Sequence, residues 1–278
     1  MFKDVLVNLS VADRRDPACD YAVSVANAFN AHLSGIAFAY DPAVPAIAGG
    51  CEVMLPGWIE EERGKAAQRA KAAVAKFEAA ARREGLSAES RVLDATVRKA
   101  PHLFAQIARR FDLSLVQQSD PEQRGHENVI ITAAIFDSGR PVLIVPYIQT
   151  DGIRLNRVMI CWDGSRNAAR AIADAQPFLT RAKAVELVTV VSADIKSDEM
   201  GDADIARHLA RHYPKVEVEN ITATDSDVPN AILSHAADTS ADFIVMGGYG
   251  HARLREFILG GATRGILATM TIPTLMSH

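Results

Sequence analysis

Residues 243–267 read FIVMGGYGHARLREFILGGATRGIL: an apolar run, a first group of three glycines, nine residues without glycine, and a glycine pair. The apolar run is typical of a buried strand. Glycine tolerates positive φ and lets another group approach the main chain closely. The residues from Ala262 onward fit the start of a helix, whose N-terminus carries unpaired N–H groups and partial positive charge. The stretch therefore predicts a strand–loop–helix unit suited to hold a phosphate group through its backbone.

The same order of landmarks occurs twice along the chain. The matching runs are residues 5–7 with 157–161, residues 112–116 with 242–246, and residues 140–146 with 272–276. Strand-like and helical patterns alternate between these landmarks, which predicts βαβ units and a parallel sheet covered on both faces. We therefore predict an α/β fold of two tandem doubly wound, Rossmann-like domains, residues 1–147 and 154–278. Each domain is expected to hold a mostly parallel five-stranded sheet.

The first half is longer than the second between its matching landmarks. Residues 41–59, DPAVPAIAGGCEVMLPGWI, account for the difference. They are rich in proline and glycine and show no clear period, which predicts a long loop. This loop is either a surface excursion without function or a lid over a pocket.

The glycine stretch follows the carboxyl end of a predicted strand. In doubly wound sheets, ligands bind beyond these ends, where the strand order reverses. Two familiar phosphate motifs do not fit: no lysine follows the glycines as in a P-loop, and the dinucleotide fingerprint needs glycine at position 253, which is Arg253. The alternative without a ligand is a turn followed by a glycine-capped helix.

The stretch resembles the ATP-binding signature of universal stress proteins, G-x2-G-x9-G-[ST], here carried by Gly247, Gly250 and Gly260. Asp163, in the run CWDGS, resembles the aspartate at the end of that family's first strand. The resemblance covers the whole chain as two tandem domains of the adenine-nucleotide α-hydrolase-like type. It is strong in the second half and weak in the first.

The resemblance implies that the second half binds ATP, or alternatively ADP or AMP, with Mg²⁺ arriving on the nucleotide. The implied contacts are Asp163 and Val190 beside the adenine, Met246 and Gly247 along the adenosine, and Gly250, Gly260, Gly261, Ala262 and Thr263 around the phosphates. The final Ser/Thr of the signature is replaced by Gly261, and we expect Thr263 to supply the missing hydroxyl. A neutral hydrogen bond contributes about 0.5–1.5 kcal/mol, so one lost contact would weaken binding by about tenfold.

The first half departs further from the signature. Aligned on the shared landmarks, it carries Gln117, Asp120, Asn128 and Val129 at the four glycine positions, and Ser10 in place of the aspartate. A carboxylate at position 120 would face the phosphates, and like charges in a partly dehydrated cleft repel. We predict that the first half does not bind ATP in this way and is a structural partner of the second.

Composition excludes several other classes of protein. A net charge of −4 argues against a nucleic-acid partner. The sequence contains no run of 18 apolar residues, which a membrane-spanning helix would need. The three cysteines, Cys19, Cys51 and Cys161, lie far apart, and the N-terminal segment lacks a signal-peptide pattern, so we expect a cytoplasmic protein. The histidines show no metal-ligand spacing. Ser165 fits a helix N-cap better than a nucleophile, because no GxSxG elbow surrounds it.

These features predict a universal stress protein that responds to ATP as a stress-response switch, or as a chaperone-like interaction protein. In that family the last strand pairs two domains edge to edge, which implies an intramolecular pseudo-dimer and allows a homodimer. The sequence offers no evident general base or nucleophile and no ligase or nucleotidyl-transferase signature, so we predict no enzyme activity beyond slow ATP hydrolysis. The alternative is a scaffold or small-metabolite-binding protein with a vestigial nucleotide site.

Overall fold

The computed structural model describes residues 1–42, 55–122, 125–191, 199–213, 215–224, 227–248 and 261–278. The strands are β1 (Asp4–Asn8), β2 (His32–Tyr40), β3 (Ala88–Ala95), β4 (Leu113–Gln117), β5 (Val142–Val145), β6 (Arg157–Trp162), β7 (Ala184–Val191), β8 (Val216–Thr222), β9 (Phe243–Gly247) and β10 (Thr274–Ser277). The helices are α1 (Pro17–Phe29), α2 (Leu55–Arg83), α3 (Ala100–Ala108), α4 (Glu127–Asp137), α5 (Arg166–Asp174), α6 (Gln176–Leu179), α7 (Glu199–Ala210), α8 (Val228–Asp238) and α9 (Gly261–Thr269).

All ten of these strands belong to one sheet, in the order β3-β2-β1-β4-β5-β10-β9-β6-β7-β8. Each half contributes five strands that pair parallel among themselves. The last strands of the two halves, β5 and β10, pair antiparallel, with Leu143 opposite Leu275. The predicted α/β class, with a mostly parallel five-stranded sheet from each half, is confirmed, and the two sheets are joined at this pair.

Helices cover both faces of the sheet because the central strands are buried on both sides. One apolar layer packs under α1, α2, α5, α6 and α7, and the other under α3, α4, α8 and α9. In the first layer the rings of Phe2, Phe29, Phe178 and Phe243 cross from one half to the other, with Phe2 and Phe178 centroids 4.9 Å apart. The two halves therefore share their core as well as their sheet.

The second layer also connects the halves. The Gln118 side-chain amide, at the end of β4, donates a hydrogen bond of 3.0 Å to the carbonyl of Leu267 in α9. Gln118 is fully buried. Because a buried amide needs a partner, this bond fixes α9 against the first half.

The predicted loop at residues 41–59 is only partly described. Residues 43–54 lie outside the described residues, but residues 55–59 form the start of α2, so the predicted loop is wrong at this end. Pro56 is the second residue of the helix, where the missing N–H removes no helical hydrogen bond. Proline here belongs to a helix start, although the sequence pattern favours a loop.

No helix in the described part of the chain combines the length and the apolar content needed to cross a bilayer.

Candidate functional site

Three strands of the second half end at the same edge of the sheet. The register pairs Cys161 of β6 with Met246 of β9, and Trp162 of β6 with Thr189 of β7. The strand order reverses between β6 and β9, since β7 continues outward on one side and β10 on the other. This is the position at which doubly wound sheets bind ligands. The predicted site residues Asp163, Val190 and Met246 are brought to this edge.

Asp163 follows β6 and is exposed. Its Oδ1 accepts a hydrogen bond of 3.0 Å from the backbone N–H of Ser165, and Gly164 between them has a φ of +70°. The Ser165 hydroxyl oxygen accepts from the backbone N–H of Ala168 at 3.1 Å, so the predicted N-cap of α5 is confirmed. This turn fixes the position of the Asp163 carboxylate beyond the end of the strand.

Gly247 ends β9 against the first turn of α5. A Cβ built at this glycine would lie 2.6 Å from the backbone N of Ala168 and 2.8 Å from the backbone C of Asn167. The Asn167 side-chain amide donates to the carbonyl of Gly248 at 2.7 Å, which ties the helix to the loop. Glycine at position 247 therefore has a packing reason that the sequence analysis missed.

The N-terminus of α9 lies at the same edge of the sheet. Because α9 connects the parallel strands β9 and β10, it runs from the carboxyl end of one to the amino end of the other. Gly261 is exposed, and no atom of the described residues lies within 4 Å of a Cβ built on it. Ala262 is partly buried and Thr263 is 3% exposed, so the Thr263 side chain belongs to the packed side of the helix.

The remaining predicted contacts are at Gly250 and Gly260. Both lie outside the described residues. Of the nine predicted site residues, the structure places the other seven after β6, at the ends of β7 and β9, and in the first turn of α9.

The corresponding edge of the first half is bridged by charged side chains. Arg14 Nη1, in the loop after β1, lies 2.5 Å from Asp120 Oδ2, in the loop after β4. The other oxygen of Asp120 accepts from the backbone N–H of Glu122 at 2.9 Å. The Tyr40 and His126 rings also meet here, with centroids 4.6 Å apart. These contacts connect the loops of the first half at the place that corresponds to the start of α9 in the second half.

The hydrogen bond from Arg14 holds the pKa of Asp120 below its usual value, with a smaller contribution from the Glu122 N–H. Since the pKa is lowered in the folded protein, the pair stabilises the fold above the unfolded pKa of the carboxyl group and loses this effect as pH falls. We expect Arg14→Gln to raise the Asp120 pKa, as followed by carboxyl-carbon NMR titration. Arg15→Gln, which removes the exposed pair with Asp20, is the matched control. An unchanged Asp120 pKa in Arg14→Gln would contradict the described contact.

Comparison with known proteins relates the second half of the chain to a described family. Residues 154–278 match the model of the universal stress protein family. A universal stress protein of Synechocystis is 25% identical over 155 residues, which cover 55% of this chain and 52% of that protein. The chain thus spans about half the length of this curated relative.

Solved structures extend the likeness over both halves. A universal stress protein from Archaeoglobus fulgidus has a TM-score of 0.74 at 14% identity, over 99% of this chain and 97% of that one. A protein of unknown function from Pseudomonas aeruginosa has a TM-score of 0.60 at 15% identity, over 99% of this chain and 92% of that one. At these identities the likeness shows a shared fold.

Proposed function

We propose that this chain is a universal stress protein whose second half binds ATP or another adenine nucleotide. The family match over residues 154–278 supports this proposal. In this account the nucleotide state sets the conformation or the partners of the protein, which acts as a stress-response switch or a chaperone-like interaction protein in the cytoplasm.

The observation that carries the proposal is the open first turn of α9 beside the edge where β6 and β9 end. The first N–H groups of a helix point away from its own carbonyls and the helix dipole favours an anion at this end, which in α9 is formed by Gly261 and the residues after it. A phosphate chain held here would leave the adenosine on the strand ends, against the apolar side chains of Val190 and Met246. Mg²⁺ would accompany the phosphates.

The Asp163 carboxylate supplies the polar contact for the adenosine. It is exposed beyond the end of β6, and its position is fixed by the N–H of Ser165. A carboxylate at this position can accept a hydrogen bond from a ribose hydroxyl or a base amine of a bound nucleotide. Thr263 contributes only its backbone N–H in this account, because its side chain is buried.

For the first half we propose a structural role, with domain boundaries at residues 1–147 and 154–278. The ion pair between Arg14 and Asp120 occupies the loops where a phosphate chain would be held. The antiparallel pairing of β5 and β10 joins the halves as a pseudo-dimer, and two chains associating as a homodimer is a further step of the same proposal.

One observation favours the second candidate, a scaffold or small-metabolite-binding protein with a vestigial nucleotide site. Gly247 is required by the approach of α5, so its presence needs no nucleotide. The two candidates differ in what the purified protein carries.

The test is to purify the protein, denature it and analyse the released small molecules by mass spectrometry. The proposal predicts an adenine nucleotide at up to one equivalent per chain, and a strong reduction in the Gly261→Glu variant. Release of a different metabolite without any adenine nucleotide would favour the second candidate. If nothing is released, added ATP must still bind, or the proposal is wrong.

A further inference from the structure

A cavity of about 200 Å³ lies between α3 and the first three strands, on the same face of the sheet as α4. Its floor is apolar and is formed by Leu6, Ile36, Ile107 and Phe111. It is distant from the carboxyl ends of the strands, where the proposed nucleotide site lies. Leu6 is in the middle of β1, and Ser34, which also lines the cavity, is near the start of β2.

The strand pairing identifies the equivalent positions in the second half. Leu6 pairs with Ser34 in the same way that Met159 pairs with Glu186, so Ser34 and Glu186 are equivalent positions. On the next strand outward, each of these positions pairs with a glutamate: Ser34 with Glu89 of β3, and Glu186 with Glu217 of β8.

The covering helices give the second pair of equivalent positions. Both α3 and α8 carry proline as the second residue, and both have a fully buried alanine late in the helix, Ala108 and Ala236. Counted from these landmarks, Ile107 of α3 corresponds to His235 of α8.

A buried ionic group occupies the second half at this place. Glu186 Oε1 lies 2.9 Å from His235 Nε2, and Glu186 Oε2 lies 3.6 Å from Arg157 Nη1. In the first half, serine and isoleucine replace this carboxylate and this imidazole. The cavity lies where serine replaces the longer glutamate and apolar isoleucine replaces the polar imidazole.

The rim of the cavity carries two arginines, one of which has no side-chain partner among the residues that the structure describes. The Ser34 hydroxyl, 4% exposed, donates to Glu89 Oε1 at 3.0 Å, and Arg91 Nη2 lies 3.7 Å from the same oxygen. Arg110 also lines the cavity, and its side chain makes no hydrogen bond or ion pair within the described part of the chain. The Glu89 carboxylate is thus already paired, whereas the Arg110 guanidinium can pair with an anion.

We propose that this cavity is a binding site for a small carboxylic acid with an apolar body of about one ring. The body packs on Leu6, Ile36, Ile107 and Phe111, and the carboxylate pairs with Arg110. An apolar cavity of about 150 Å³ in another protein holds benzene, so about 200 Å³ accommodates a ring and a carboxylate at its mouth. Guanidinium is suited to this recognition because its fork of donors matches a carboxylate. The site is independent of the proposed nucleotide site.

Sodium benzoate is the probe, with benzylamine and benzyl alcohol as charge controls of similar shape. Titration of the full chain is followed by methyl NMR signals of Leu6, Ile36 and Ile107. We expect saturable shifts with benzoate, weaker shifts with benzyl alcohol and the weakest with benzylamine. Absence of saturable shifts at millimolar benzoate, or tighter binding of benzylamine, would overturn the proposal.

Two variants test the assigned contacts. Arg110→Gln should weaken benzoate by about tenfold, as expected for loss of a partly exposed charged pair, and leave benzyl alcohol unchanged. Arg98→Gln, an exposed arginine of the same half that does not line the cavity, should change neither. An equal loss in both variants would show that only net charge matters and would contradict a site at Arg110.

The double variant Ser34→Glu with Ile107→His copies the pair that packs in the second half. It should fill the cavity and abolish binding of all three probes, with a cooperative thermal transition confirming that it folds. If it does not fold, Ile107→Phe fills the same space with an apolar ring. Retained benzoate binding in a folded filling variant would contradict the proposed location.

Discussion

Replacing Gly247 with valine is expected to lower the free energy of unfolding by about 3 kcal/mol. The Cβ would lie 2.6 Å from the backbone N of Ala168 and 2.8 Å from the backbone C of Asn167. Both atoms belong to the first turn of α5, so no side-chain rotation relieves the contact. The helix must move away from β9, which disrupts the packing of its own buried residues Ala168 and Ala171 against the sheet.

Chemical denaturation measures this effect, and Gly64→Ala is the matched control. Gly64 is exposed within α2, and no atom in the described part of the chain lies within 4 Å of a Cβ built there. Alanine is favoured over glycine in a helix interior, so the control should gain about 0.5–1 kcal/mol. If Gly247→Val were as stable as the unchanged protein, α5 could not pack on β9 as described.

Gly261→Glu is expected to weaken nucleotide binding by about a hundredfold while leaving the fold intact. The position is exposed and open, and a carboxylate in the first turn of a helix interacts favourably with the helix dipole. The same carboxylate would meet the phosphates proposed to bind there. Two like charges about 5 Å apart repel by about 3 kcal/mol at an effective dielectric constant of 20, which corresponds to a loss of affinity of about a hundredfold.

The control for this variant is Gly261→Gln, which has nearly the same shape without the charge. We expect it to weaken ATP much less than glutamate does, and both variants to unfold at or slightly above the denaturant concentration of the unchanged protein. Calorimetric titration with ATP gives the affinities. Equal ATP affinity in the glutamate and glutamine variants would show that the phosphates do not bind at the N-terminus of α9.

The repeated landmarks made the architecture predictable. Residues 5–7 and 157–161 lie within β1 and β6, and residues 113–116 and 243–246 within β4 and β9, so the sequence located these four strands. Such runs are short, apolar and bounded by turn residues, which is the pattern of strands buried on both faces.

Two elements of the first half lacked a clear period. Strand β2 (HLSGIAFAY) is a run of small and apolar residues buried along almost its whole length, which periodicity does not distinguish from a buried helix. Helix α4 (ENVIITAAIFD) packs on both the sheet and α3, and it also carries apolar side chains that are exposed, Val129 and Phe136. Neither could be assigned from the sequence alone.

Contacts between distant residues were also beyond sequence reasoning. The pair of Arg14 with Asp120 joins loops more than a hundred residues apart, and nothing in either local sequence indicates the partner. The two reasons for a glycine, ligand approach and helix packing, are identical in sequence, and only the structure shows that Gly247 meets α5.

The central claim is that one half of the chain binds an adenine nucleotide through the backbone at α9. Isothermal titration of nucleotide-free protein with ATP and Mg²⁺ tests it most directly. We expect one site per chain, whose affinity Gly261→Glu lowers by about a hundredfold without unfolding the protein. A stoichiometry of two would show that the first half also binds despite its Arg14–Asp120 pair, and no binding at all would contradict the account.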